Sequence, residues 1–235
     1  MPRSVETPRP PLTRHRILSA GVDLADREGI ESLSMRTLGT VLGVQAMSLY
    51  NHVANKEDLL DGMVDLIFAE IALSNPPTGD WKTIIRQRAI SARTVLSEHP
   101  WAVALMDSSS LPGPATMGHF EKVLGCLGQA GFSVERTLHA YAVIFAYVYG
   151  FVLAFQDDDH ISNAKQIIEA VGPAEFPYAI EATTYYLQRG DDQTQDFLGG
   201  LDLILDGIER TLAGIQPNSK RPSREDRKSS ASRRA

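Results

Sequence analysis

Apolar residues recur at helical spacing along almost the whole of this chain, and proline and glycine mark where each run stops. Ile17, Leu18, Gly21, Val22, Leu24 and Ala25 make one face, with Asp23, Asp26, Arg27 and Glu28 away from its centre; Thr13 is placed to cap that helix and Gly29 to end it. Short segments follow from Ser34 and after Gly43, and a longer one after Asn55, where Asn55-Lys56-Glu57-Asp58 offers a cap residue and then acids for the first turn. Pro76-Pro77 cannot lie inside a helix, so a first module closes near Asn75. Beyond it the pattern predicts a helix from Asp80 to about Ser97, a short one from Pro100, and helices near 115–130 and 134–156. Polar sequence follows over 157–195, with one short helix at 163–171, and a last helix spans 196–214. No alternating run is long enough for a strand. The expected fold is all-α.

Charge and proline separate the ends from the rest. Residues 217–235 carry seven Lys/Arg against two acids, leaving sixteen basic and twenty-seven acidic residues in the first 216. Four of the thirteen prolines fall within residues 1–12. The expected organisation is a disordered arm (1–12), a first helical domain (13–75), a larger helical domain (80–215) and a disordered basic tail (216–235). A net charge of −6 argues against bulk coating of nucleic acid, but leaves room for a local DNA-reading surface. The single cysteine, Cys126, excludes an intrachain disulfide and a multi-thiolate zinc site. Ala140–Phe155 is sixteen residues without a charge, short of the ~20 a bilayer needs and flanked by Asp157-Asp158-Asp159; it reads as a buried helix. With no apolar leader at the start, the expected compartment is the cytoplasm.

The informative stretch is Leu33–Leu60. With Ser34 as cap, Leu38, Val41 and Leu42 fall on one face of a short helix. Gly43 permits a left-handed turn, Val44 plugs the junction, and Leu49 and Val53 point inward from a second short helix. That is the apolar skeleton of a helix-turn-helix, or equally of an αα-hairpin with a solvated polar face. Left facing outward are Gln45, Ala46, Met47, Ser48, Tyr50, Asn51 and His52. Gln and Asn can bond adenine edges bidentately, and Ala or Met can meet a thymine methyl. Tyr50, His52, Arg36 and Lys56 suit phosphate oxygens, Lys56 beside a helix N-terminus that already favours anions. Arg14 and Arg16 are placed to touch the flanking backbone.

The residues from Arg16 to Val64 resemble the DNA-binding module of the tetracycline-repressor (TetR) family. The likeness runs through Ala25–Gly29, Ser34-Met35-Arg36-Thr37-Leu38, Leu42-Gly43-Val44, Leu49-Tyr50-Asn51-His52-Val53 and Asn55-Lys56-Glu57-Asp58-Leu59-Leu60. A weaker likeness continues through Gly131-Phe132-Ser133 and Phe197–Glu209, similar to the C-terminal domain of the tetracycline-repressor branch. Gly39 stands where that family usually has Ala, Asn51 where an aromatic is usual, and Ala54 where a basic residue is usual. Gly39 would loosen its helix by up to ~1 kcal/mol; Asn51 bears on sequence preference.

The resemblance implies a homodimeric regulator that reads a palindromic or near-palindromic operator in double-stranded DNA and binds a small effector in its C-terminal domain. An activator or interaction protein without an effector is the other reading. Candidates for the pocket lining are Trp101, Met106, Phe120, Val123, Tyr141, Phe145, Tyr149 and Phe176, each equally a plain core residue. Positions that tetracycline-responsive members use for metal and polar ring contacts fall on Ala72, Met106 and Val123, none of which coordinates a metal-bound polyol. An apolar or aromatic effector is therefore expected, with no metal and no cofactor. Phe197, Leu201, Ile204, Leu205, Ile208 and Leu212 form an apolar stripe on the last helix, expected with helix 134–156 to make a four-helix dimer interface. Histidines 99, 119, 139 and 160 are scattered, and Asp157–His160 reads as a solvated loop. No nucleophile elbow or Cys–His pairing suggests an enzyme.

Overall fold

The computed structural model describes residues 11–71, 79–106, 112–155, 176–189 and 193–213, together with Gln166 and Ala170. Every regular element among them is helical. The first domain contains α1 (Arg14–Glu28), a 3₁₀ turn (Ile30–Ser32), α2 (Met35–Leu42), α3 (Ala46–Leu49) and α4 (Lys56–Glu70). The second contains α5 (Trp81–Glu98), α6 (Pro100–Leu105), α7 (Pro114–Gln129), α8 (Val134–Ala154), α9 (Pro177–Arg189) and α10 (Gln193–Ala213).

The expected caps Thr13, Ser34 and Asn55 are in place, and Asp80 and Ser133 cap later helices. Thr13 accepts from the Arg16 amide, Asn55 from Asp58, Asp80 from Thr83 and Ser133 from Arg136. Ser34 and Thr37 form a reciprocal capping box on α2. The head packs α1 against α4 and α2 across α3, around Ile17, Leu38, Leu49, Leu59 and Met63, all fully buried. In the body, α8 lies against α5, α6, α7 and α10. It is long and apolar enough to cross a bilayer, but Ala140, Ile144, Val148, Tyr149 and Val152 are buried inside the bundle. Helix α4 joins the halves: its pairing with α7 is, with that of α5 and α8, the most extensive in the molecule.

Several expectations need correction. Val41 is half exposed, and Gly39 occupies the buried position beside Leu38 and Leu42. Helix α4 ends at Glu70, five residues short of Asn75. The last helix starts at Gln193 rather than 196. Helix α9 lies in a stretch read as mixed and polar; none of its described side chains is buried, so no apolar stripe announced it. Leu12, assigned to the disordered arm, packs partly buried against the core. Residues 1–10 of that arm, the tail from 216, Ala72, the Asp157–His160 loop and nearly all of the expected 163–171 helix lie outside the described residues.

Candidate DNA-reading surface and ligand cavity

The turn between α2 and α3 is tight for two reasons. Gly43 sits at φ 68° and ψ 34°, a left-handed conformation that glycine adopts without steric cost. Gly39 allows close approach: a Cβ there would stand 3.0 Å from the Val44 carbonyl oxygen and 3.2 Å from the Ala46 nitrogen. Its lower helix propensity is thus offset by a closer crossing of the two helices. Helix α3 is only one turn long, and the chain continues helically through Tyr50, with the His52 and Val53 amides both donating to the Leu49 carbonyl. Leu49 and Val53 are buried, and the other side of this turn is outward. Gln45, Met47, Tyr50 and Asn51 are exposed, while Ala46, Ser48 and His52 are half-buried around them. Arg36 on α2 and Lys56 at the first position of α4 are exposed on either side. All nine residues expected to meet DNA therefore reach solvent at one end of the head.

Arg14 is exposed as well, and its guanidinium is engaged within the head. Its guanidinium donates to both Asp58 carboxylate oxygens (2.6 and 2.9 Å) and to the His52 carbonyl (3.1 Å). Asp58 also accepts from the Ala54 amide (2.7 Å), and the Arg14 hydrogen bond holds its carboxyl below the usual carboxylate range. One ion pair thus ties the start of α1, the end of the reading turn and the first turn of α4.

Other contacts couple head to body. Asp26 of α1 accepts from Trp101 Nε1 (2.6 Å) and from His99 Nδ1 (2.8 Å) at the α5–α6 corner, where His99 Nε2 also faces Glu70 of α4. Asp65 of α4 caps α7 by accepting from the Thr116 amide (2.8 Å) and hydroxyl (2.9 Å). Just above it, Phe68 packs edge-on against the His119 ring, centroids 5.2 Å apart.

His119 is also a wall of a partly open cavity in the body. Lining residues come from α5 (Ile85, Arg88, Ala89, Ala92), α7 (His119, Val123) and α8 (Tyr141, Ile144, Phe145, Val148, Tyr149). About 30 Å³ of it is open to the centre of a water molecule, room for a water or two. Val123, Tyr141, Phe145 and Tyr149 are among the expected lining. Phe120 stacks edge-on behind Tyr141 instead (4.8 Å), and Met106 packs on the core without reaching the cavity. Trp101 belongs to the Asp26 clasp and Phe176 is half exposed. Arg88 and His119 were missed, although both fall on apolar stripes: Ile85, Arg88, Ala89, Ala92 and Leu96 on α5, and His119, Val123 and Leu127 on α7.

The stripe expected to form the dimer interface has another place. Phe197, Leu201, Leu205 and Ile208 are buried in the chain's own core, with Tyr147 donating to the Phe197 carbonyl (2.9 Å) and stacking on its ring. Ile204 is half-buried, and the Leu212 side chain lies outside the described residues. Exposed instead are Leu203 on α10 and Leu138, Val143 and Leu153 on α8.

The family model for bacterial regulatory proteins of the tetR family matches residues 17–63, and that for the tetracyclin repressor-like C-terminal domain matches residues 73–212. The chain belongs to the TetR family. It is 34% identical over 218 residues to an HTH-type transcriptional regulator of Saccharopolyspora erythraea, covering 92% of each chain. Similarity to an HTH-type transcriptional repressor of Mycobacterium tuberculosis is 30% over 212 residues, covering 83% of this chain and 80% of the other. The crystal structure of the Streptomyces coelicolor TetR family protein ActR in complex with (S)-DNPA superposes with a TM-score of 0.75 at 25% identity, over 88% of this chain and all of that one. As a TetR-family member this protein is a helix-turn-helix transcriptional regulator.

Proposed function

We propose that the protein is a homodimeric cytoplasmic repressor, without catalytic activity, that leaves a near-palindromic operator when a small, largely apolar or aromatic effector enters the α5/α7/α8 cavity. Gln45, Ala46, Met47, Ser48, Tyr50 and Asn51 face base edges, and Arg36, His52 and Lys56 hold phosphates. A recognition turn this short reads few base pairs, so specificity needs two copies at half-sites about one helical turn (34–36 Å) apart. The outward apolar side chains of α8 and α10 (Leu138, Val143, Leu153 and Leu203) supply the face for the second copy. The repressor named above and the liganded ActR support this reading.

The observation that carries it is a continuous line of contact. His119 is at once a wall of the cavity and the seat of Phe68, so an effector that displaces α7 displaces α4. The first turn of α4 is in turn locked through Asp58 and Arg14 to the His52 carbonyl. Movement in the body therefore changes the separation of two recognition turns that must match one turn of DNA.

Gel shifts against DNA upstream of the protein's own gene identify the operator, and ligand affinity measured with and without it tests the coupling. Operator should weaken effector binding by the factor by which effector weakens operator binding, typically about 5–150-fold. A ligand seated in the cavity with equal affinity in both cases would sink the mechanism. Sedimentation should show a dimer at micromolar concentration and monomers for Leu203→Asp with the head still folded; a wild-type monomer would remove the dimer.

A further inference from the structure

The cavity holds a cation, Arg88, that has no counter-charge among the described residues. Arg88 is 7% exposed; one of its terminal nitrogens donates to the His119 carbonyl (3.0 Å), and its Nε has no partner. No carboxylate is among the described lining residues. The described groups whose negative charge would favour the guanidinium are the Tyr141 and Tyr149 hydroxyls and the Cys126 thiol, and burial pushes all three up, so each stays protonated. Burial likewise holds His119 at about 3, which makes it neutral, and its buried Nδ1 is also unpartnered. A buried cation without a counter-charge is costly, and a neutral hydrogen-bonding imidazole beside it adds a second unmet demand. The rest of the wall is apolar or aromatic, including a ladder of Tyr141, Phe145 and Tyr149 rings along α8.

Resting on the effector-binding reading, we propose that the effector is a monoanion: an aromatic carboxylate whose acid group pairs with Arg88, with His119 as its second contact and its ring system lying against Val123, Ile144, Phe145 and Val148. A guanidinium fork matches a planar carboxylate bidentately, and one cation among neutral groups fits a single negative charge. The cavity admits only a water or two as it stands, so the ring enters by moving α7 off α5 and α8, the displacement that α4 feels.

Calorimetry on the full-length protein with 2-naphthoate and benzoate, set against the neutral 2-naphthamide and benzamide, tests this. Each carboxylate should bind at least tenfold more tightly than its amide, and Arg88→Met should erase the difference. Ligand-free Arg88→Met should melt no lower than wild type, because an unpaired buried charge has been replaced by an apolar chain of similar length. If that variant does not fold, Arg88→Lys keeps the charge without the fork and should retain a smaller carboxylate preference. Equal affinity for acid and amide, or a carboxylate preference that survives Arg88→Met, would overturn the proposal. So would a wild type that binds none of the four compounds, or an Arg88→Met that melts lower while wild type ignores carboxylates, the sign of an internal counter-charge. Gel shifts on the same samples separate this from the regulator reading: a protein that shifts its upstream DNA but shows no acid preference refutes only the anion, and one that prefers the acids but never shifts DNA refutes only the regulator.

Discussion

The head and the body treat their polar groups differently. In the head, buried side chains are apolar, and the polar groups that matter to its shape find partners nearby: Ser34 with Thr37, Asn55 with Asp58, Arg14 with Asp58 and the His52 carbonyl. In the body, Arg88 Nε, His119 Nδ1 and Thr137 Oγ1 are buried without a hydrogen-bond partner, and two of the three belong to residues of one cavity wall. A domain that satisfies itself can hold a rigid surface for DNA. One that leaves hydrogen bonds unmade retains a reason to admit something else.

The comparison can be broken most severely at Gly39. If the head has no slack, Gly39→Val, whose Cβ alone meets backbone at 3.0 Å, should lower operator affinity by 100-fold or more while the body melts unchanged. Gel shift and calorimetric melting check both halves, and retained operator binding would show that the α2–α3 crossing can relax. The body's unmet polarity should be visible in its pH response. His119 ordinarily titrates near 6.5 but is held at about 3 in the fold by burial, so between those values the unfolded chain takes a proton that the folded one refuses. Stability should therefore be fully present above about pH 6.5 and fall as the pH drops, by at most ~1.4 kcal/mol per pH unit. Denaturant melts of wild type and His119→Phe between pH 7 and 4 isolate this, the variant being flatter. Lys56→Ala gives the smallest effect: a uniform weakening on all DNA sequences and a salt dependence reduced by about one, leaving the head's stability unchanged. A loss confined to one operator sequence would move Lys56 from phosphate to base.

What could be read from the sequence follows the same division. The head's caps, its left-handed Gly43 and its Leu49–Val53 pair all act within a few residues of each other, so local chemistry announces them. Arg14 could not be placed that way, because its partner lies 44 residues along the chain. In the body, periodicity located most helices but not what covers them. The Phe197–Ile208 stripe says that one face of α10 is dry, and either α8 of the same chain or a second copy meets that requirement. Helix α9 buries none of its described side chains, so no dry face sets it apart from the polar sequence around it. Arg88 and His119 lay in view on otherwise apolar stripes, an inconsistency that only burial turns into chemistry.

The Asp26 clasp bears on how freely this architecture can be recombined. Its carboxylate belongs to the head, yet its two donors, the Trp101 indole and the His99 ring, belong to the body. A chimera that grafts this body beneath another member's reading domain would strand both donors unless an acceptor stood in the same place on the new first helix. The two halves are distinct in their chemistry, but they are not interchangeable parts: exchange of reading domains between relatives is constrained by a residue that lies outside both the α2–α3 surface and the cavity lining.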